Sequence, residues 1–326
     1  MKYVIVRWDG LYIFDENIEK IEKIDISFNE EELFELYNNK LPEKIKQYLK
    51  EDYIFLGQKF EGYKFELDTN KIRKALDLIQ KDIDQSIVVD LTRKKISQSV
   101  GRDQLIIQAI MLYDDLIKII NLMMERFREW YELYFPEISQ RIEDHEKFLK
   151  VIVGKKREEL MEEYKIEKTM GGNFREDDIN MIYTVAKEIE RLYKLREEIR
   201  EYIEKIMMEV APNLSKVATP IIGARLIALA GGLSNLATLP SSTVQVLGAE
   251  KALFRHLTKK TPPPKHGVIF NHPYIQKLPK KKRGAMARTL ASKILIAAKV
   301  DTFGGKYIAD KLAEELEKRF NELKNG

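Results

Sequence analysis

Apolar and polar positions alternate in three different ways along the 326-residue chain. Near the N-terminus the period is two. YVIVRW and LYIFD are apolar runs separated by Asp9-Gly10, the residue pair of a tight hairpin turn. NEEELFELYNNKLPEKIKQYL has helical spacing, and DYIFLGQKF and YKFELD predict two more strands about a Glu61-Gly62 turn. Residues 1–68 therefore read as a small α/β unit. Thirteen of the 31 aromatic residues fall in the first 65 positions. A unit this small hardly hides them all, which predicts an exposed aromatic face for a protein partner.

From about residue 105 the period changes to threes and fours. Leu105, Ala109, Leu112, Leu116, Ile119, Met123, Arg126, Trp130 and Leu133 form one run, and Ile182, Val185, Ile189, Leu192, Arg196, Ile199, Ile203, Ile206 and Val210 a second. Each is interrupted once, by an arginine. This is the spacing of a coiled coil with one polar seam position per helix, each run about 40 Å long at 1.5 Å per residue. The two predict a helical hairpin that also pairs with a second copy, with Leu112, Ile119, Ile189, Leu192 and Ile199 as dimerisation residues. MGGN (170–173) predicts a turn, and Asp177/Asp178 a helix start.

After VAPNLS the chain becomes rich in Ala, Gly and Leu, which predicts short, tightly packed helices, followed by a triple proline, a basic run and a final acidic amphipathic helix. Charge changes the picture here. Residues 211–300 hold 15 basic residues and one acidic residue, whereas the rest of the chain holds 41 basic against 51 acidic. From Lys251 to Val300 there is no Asp or Glu at all. Such a region is built to meet a polyanion. The triple proline holds its loop at low entropic cost, so Lys259, Lys260, Lys265 and His266 are presented in a fixed shape. Pre-shaped charge beside His256, Phe254, Phe270 and Tyr274 suits folded RNA better than a uniform duplex.

Other chemistry is excluded. With no cysteine there is no disulfide and no thiolate metal site. The start lacks a signal-peptide pattern and no apolar run approaches 18 residues, so a cytosolic protein that does not enter a membrane is expected. The GGK at 304–306 lacks the rest of a P-loop, and neither Gly-x-Ser-x-Gly nor His-Glu-x-x-His occurs. His256, His266 and His272 have only Glu250 nearby, a poor zinc set. No active site and no metal are expected.

GARLIALAGGLSNLATLPSSTVQVLGAEKALFRHL and TPPPKHGVIFNHPYIQ resemble the Nop domain, and EWYELYFPEI (129–138) resembles the coiled-coil signature of the same family. The likeness runs from about residue 100 to 315. Without a Lys/Glu-rich tail, the chain is similar to the archaeal Nop core proteins of box C/D ribonucleoproteins. The resemblance implies a mainly α fold: a small N-terminal α/β domain (1–100) that docks fibrillarin, a long antiparallel coiled coil for homodimerisation (101–210), and an all-helical C-terminal Nop domain (211–326). It implies a scaffold, not an enzyme, in which S-adenosylmethionine belongs to the partner fibrillarin. It also implies a kink-turn guide RNA, a kink-turn-binding protein of the ribosomal-protein family, and the cytoplasm of an archaeon. Gly248, Ala249 and Glu250 match the motif facing that protein. The residues expected to bind RNA are Lys251, Arg255, His256, Lys259, Lys260, Lys265, Asn271, His272, Arg283, Arg288 and Lys293. Relatives often carry His where this chain has Asn271, with His272 one place later. A spliceosomal-type Nop scaffold is the alternative.

Overall fold

Period-two alternation in the first 25 residues builds a hairpin, β1 (Lys2–Arg7) and β2 (Gly10–Phe14), with Arg7 opposite Gly10 across the turn. Gly10 has φ +147°, and a Cβ there would lie 2.1 Å from the Ile24 carbonyl oxygen, so the turn needs glycine. β3 (Ile21–Asp25) adds an antiparallel edge strand that the sequence pattern did not flag. Helices α1 (Glu30–Tyr37) and α2 (Glu43–Lys46) follow, then β4 (Tyr53–Leu56), β5 (Phe65–Glu66), α3 (Thr69–Leu78) and α4 (Gln85–Ser99). The sheet order is β3-β2-β1-β4-β5. The strands expected about Glu61-Gly62 are present but pair in parallel, Phe55 opposite Phe65. Phe60 and Tyr63 of the connecting loop fold back edge-on to Phe55, at 4.9 and 5.5 Å between centroids, which makes the loop a crossover rather than a hairpin.

This architecture comes from a computed structural model that describes residues 2–79, 85–259 and 261–325. The chain falls into two compact units, Met1–Val100 and Gly101–Gly326. The first buries both faces of its sheet. Tyr3, Ile5, Tyr12 and Leu56 pack with Ala75 of α3 on one side, and Val4, Val6, Leu11 and Phe55 with Ile45 of α2 on the other.

The second unit is helical. α5 (Arg102–Tyr134) and α9 (Glu176–Val210) are joined by α6 (Pro136–Arg141), α7 (His145–Ile152) and α8 (Arg157–Glu163). At one end Ile106 and Ile110 share a core with Ile203, Ile206 and Met207; at the other, Phe127 and Tyr131 share one with Ile182 and Ala186. The pair is therefore antiparallel. The MGGN turn holds because Gly171 sits against α5: a Cβ there would lie 1.9 Å from the Tyr134 carbonyl oxygen. Asp178 accepts from the Arg175 backbone N–H at 3.3 Å, closing the start of α9.

The seam on α9 matches its periodicity, with Ile182, Ile189, Ile203 and Ile206 buried. On α5 Leu116 is buried as its periodicity predicts, but the rest of the inward stripe is displaced by one residue. Ile106, Ile110, Ile120, Met124, Phe127, Tyr131 and Tyr134 are buried, while Leu105, Leu112, Ile119 and Leu133 are exposed. The dimerisation set thus divides. Ile189 is fully buried inside the chain's own core, and Leu192 and Ile199 are half-buried against the cores at the two ends. Only Leu112 and Ile119 face outward.

The remaining helices are α10 (Pro212–Ala218), α11 (Pro220–Ala230), α12 (Leu233–Thr238), α13 (Ser241–Val246), α14 (Glu250–Lys259), a 3-10 turn (Val268–Asn271), α15 (Pro273–Gln276), α16 (Arg283–Phe303) and α17 (Ala309–Asn325). α16 runs through their centre and buries Met286, Ala287, Leu290, Ala291, Ile294, Ala297 and Ala298. The 210/211 boundary implied by the resemblance lies inside one core, which Ile203 and Met207 share with Leu214 and Ile222. No described helix is long and apolar enough to cross a membrane.

Candidate nucleic-acid interface

Helix α14 and the proline loop after it form an excursion closed at its base. Gly267 and Val268 donate to the carbonyls of Gln245 and Leu247, both at 2.8 Å, and the Gln245 side chain donates to the Lys265 carbonyl at 2.7 Å. The approach is so close that a Cβ on Gly267 would lie 1.9 Å from the Leu247 carbonyl oxygen. At the other end of the base, Gly248 takes φ +86° and donates to the Glu250 carboxylate at 2.7 Å, which occupies the one acid of the lobe. Further out, His256 donates from Nδ1 to the Thr261 carbonyl and ties the helix to its loop.

No residue of α14 is buried. Lys251, Arg255 and Lys259 are exposed, and none has an ion-pair partner among the described residues; Lys265 and Asn271 are exposed as well. Lys260 lies outside the described residues. Between the cations stand apolar side chains with nothing to cover them, Phe254 at 68% and Leu257 at 72% exposure. Ala249 is half-buried at the base, and Gly248 and Asn271 line an open notch of about 600 Å³ with Met111 and Leu229. One side of that notch is the Arg225–Asp114 ion pair, with Arg225 Nε 3.0 Å from a carboxylate oxygen, which clamps α11 to α5.

Three expected RNA contacts are drawn inward. His272 is buried, 6% exposed, and its Nδ1 accepts from the Tyr274 N–H at 3.3 Å to cap α15. Burial pushes its pKa down to about 4, against a hydrogen bond to the Val217 backbone that favours the proton. It is a neutral interior residue, so the one-place offset from Asn271 has turned it to the core. Arg283 donates to the Leu278 carbonyl at 2.9 Å and lies 5.4 Å from the centroid of the Phe270 ring. Lys293 is paired with Glu315 of α17. Only Arg288 of the three α16 candidates is exposed without a partner among the described residues.

The sequence had also named His266 as part of the fixed loop. Its ring stacks on Phe270 at 4.6 Å and 20°, with Arg283 against the same phenyl ring. Burial lowers the His266 pKa, so a neutral ring stands at the edge of the cationic face. Stacked aromatic residues close together in sequence were the available signal for this arrangement.

A cation-bearing lobe stapled at its base, with the exposed Phe254 ring and no free acid, has the chemistry of a phosphate-facing, shape-reading module. The chain belongs to the Nop family: residues 112–322 match the family described as "Nop, snoRNA binding domain, fibrillarin". An uncharacterised NOP5 family protein of Methanocaldococcus jannaschii is 45% identical over 252 residues, 72% of this chain and 61% of that protein. Nucleolar protein 58 of Candida albicans is 37% identical over 70% of this chain and 47% of its own length. Nucleolar protein 56 of Homo sapiens is 36% identical over 72% of this chain and 44% of its own length. The chain thus spans about half the length of the curated relatives it matches. A solved structure titled as a fibrillarin/Nop5p complex aligns over 99% of the chain and 100% of its own, with a TM-score of 0.44 at 23% identity.

Proposed function

We propose that this protein is a non-catalytic scaffold of a box C/D guide ribonucleoprotein, supporting RNA-guided 2'-O-methylation of rRNA or tRNA in an archaeal cytoplasm. The observation that carries the reading is the α14 lobe, whose Lys251, Arg255 and Lys259 stand exposed and unneutralised in a Nop-family chain. These residues, with Lys265, Asn271 and Arg288, face the guide RNA, and the Gly248–Glu250 edge faces a kink-turn-binding protein. The N-terminal unit docks fibrillarin, which brings S-adenosylmethionine; the scaffold itself takes no cofactor. A groove of about 610 Å³ with Trp8, Leu56, Ile72 and Leu76 on its walls supports an apolar docking face there. That sheet unit also favours this reading over a spliceosomal-type scaffold.

The test is a titration of kink-turn guide RNA with and without the kink-turn-binding protein. Binding at least tenfold tighter in its presence is expected, because RNA whose shape is already fixed costs less to order; equal affinity removes the composite surface. Homodimerisation is proposed through the outward stripe of α5, where Leu105, Leu112, Ile119 and Leu122 are all more than 40% exposed. Leu112→Glu with Ile119→Glu should give a folded monomer in sedimentation. A monomeric parent chain at micromolar concentration ends that part of the proposal.

A further inference from the structure

The far end of the helical pair holds a cavity of about 620 Å³. One wall is a face of the first turns of α9, with Asn180, Tyr183 and Lys187; opposite stand Lys156 and Arg157 at the start of α8, with Tyr134 and Phe174 beside them. The aromatic walls are fixed in place. Tyr134 and Phe174 lie 5.5 Å apart between centroids, and the Tyr183 hydroxyl donates to the Lys155 carbonyl at 2.6 Å. Arg157 is committed to the fold: its guanidinium lies over Tyr134 at 4.7 Å and donates to the Gly172 carbonyl at 3.0 Å.

Lys156 and Lys187 are different. Both are exposed, and neither has an ion-pair partner among the described residues. Behind the aromatic wall lies Tyr131, fully buried, whose hydroxyl has no hydrogen-bond partner among the described residues. Burial raises its pKa, followed by Tyr183 and Tyr134, both of which line the cavity.

We propose that this cavity binds one unpaired nucleotide of an RNA strand, with the base against Phe174 and Tyr183 and the phosphate between Lys156 and Lys187. The volume lies in the range of small-ligand sites. Aromatic faces stack any base, and the Asn180 amide offers both a donor and an acceptor to a base edge. An acidic peptide would use the lysines and leave the rings and the amide idle. Glu158 and Glu176 on the rim oppose a longer run of phosphates, which limits the site to a single nucleotide. Tyr183 lies 27 residues from Val210, about 40 Å along α9, so this is a contact remote from the α14 lobe.

The experiment uses the full chain carrying Lys251→Ala, Arg255→Ala and Lys259→Ala, so that its outcome does not depend on the α14 reading. It is titrated with a fluorescent single-stranded octauridylate and irradiated with the 5-iodouridine analogue. Cross-links to Phe174 or Tyr183 are expected. Adding Lys156→Ala and Lys187→Ala should weaken the residual binding at least tenfold and lower its salt slope by about one. Phe174→Leu should weaken it with the slope unchanged. Cross-links confined to other segments, or a residual affinity indifferent to the two lysines, overturns the proposal. Displacement of the octauridylate by polyglutamate at equal charge concentration also overturns it and gives the cavity to an acidic peptide.

Discussion

Helices α14 and α16 are both basic and belong to one unit, yet they are held in opposite ways. α16 buries seven residues in the centre of the C-terminal core, whereas α14 buries none. The cations follow the packing. On α16, Lys293 is neutralised by Glu315, and Arg283 spends its donors on backbone carbonyls. On α14, Lys251, Arg255 and Lys259 are unneutralised, and Phe254 and Leu257 lie between them in the open. A helix of ten residues is marginal in water by itself, so α14 depends on its stapled base and on the His256–Thr261 bond. Charge in a sequence marks a region; lack of burial picks out the part of it that is free to meet a partner.

The comparison is tested most severely by stability. Ile294→Ala on α16 should cost about 2–5 kcal/mol, and Leu257→Ala on α14 less than about 0.5 kcal/mol, by urea denaturation. A similar cost at both sites would mean that α14 is packed in solution. The histidines give the next effect. His272 stays neutral in the fold down to about pH 4 because it is buried, while in the unfolded chain it takes its proton near 6.5. Above pH 6.5 its contribution is complete. As pH falls from 6.5 towards 4, only the unfolded chain gains the proton, and stability drops by up to roughly 3 kcal/mol. His272→Asn, which keeps an acceptor at the start of α15, should flatten that limb in a series of melts.

Binding gives a smaller but more specific difference. Replacing Lys251, Arg255 and Lys259 by Ala should lower the slope of log affinity against log salt by about two to three, with little loss of stability. Lys293→Ala should leave that slope unaltered and cost at most about 1 kcal/mol of stability, since its partner Glu315 is partly exposed. A slope that falls with Lys293 would show that RNA displaces Glu315.

Much of this contrast could be read in the sequence, but not its assignment to residues. Charge counting marked the region that carries the unpaired cations of α14, yet Arg283, His272 and Lys293 were expected beside them and are tied elsewhere. Their partners explain why. Glu315 is 22 residues from Lys293, and His272 meets the Val217 backbone from a different helix. The helical pair shows a related limit. α9 carries one apolar stripe, and its seam was legible. α5 carries apolar residues on neighbouring stripes, Leu105 beside Ile106 and Met111 and Leu112 beside Ile110, and periodicity alone does not say which one faces inward. In the N-terminal unit four of the five strands were legible and β3 was not, and the parallel pairing of β4 and β5 depended on where Phe60 and Tyr63 pack.

Asp301, in the last turn of α16, accepts from the backbone N–H groups of Asn213 and Leu214 and from the Asn213 side chain, which in turn accepts from the Ile308 N–H. Helix α10 therefore receives its N-terminal acceptors from a residue made 88 positions later. While the chain is still on the ribosome, α10 waits with its first amides open until α16 has been synthesised and docked. One carboxylate then ties the entrance of the C-terminal helical array to its exit. The order of synthesis is thus written into the fold: the array closes as a loop only when its final third arrives, and a chain stopped before residue 301 would leave the start of α10 unfinished.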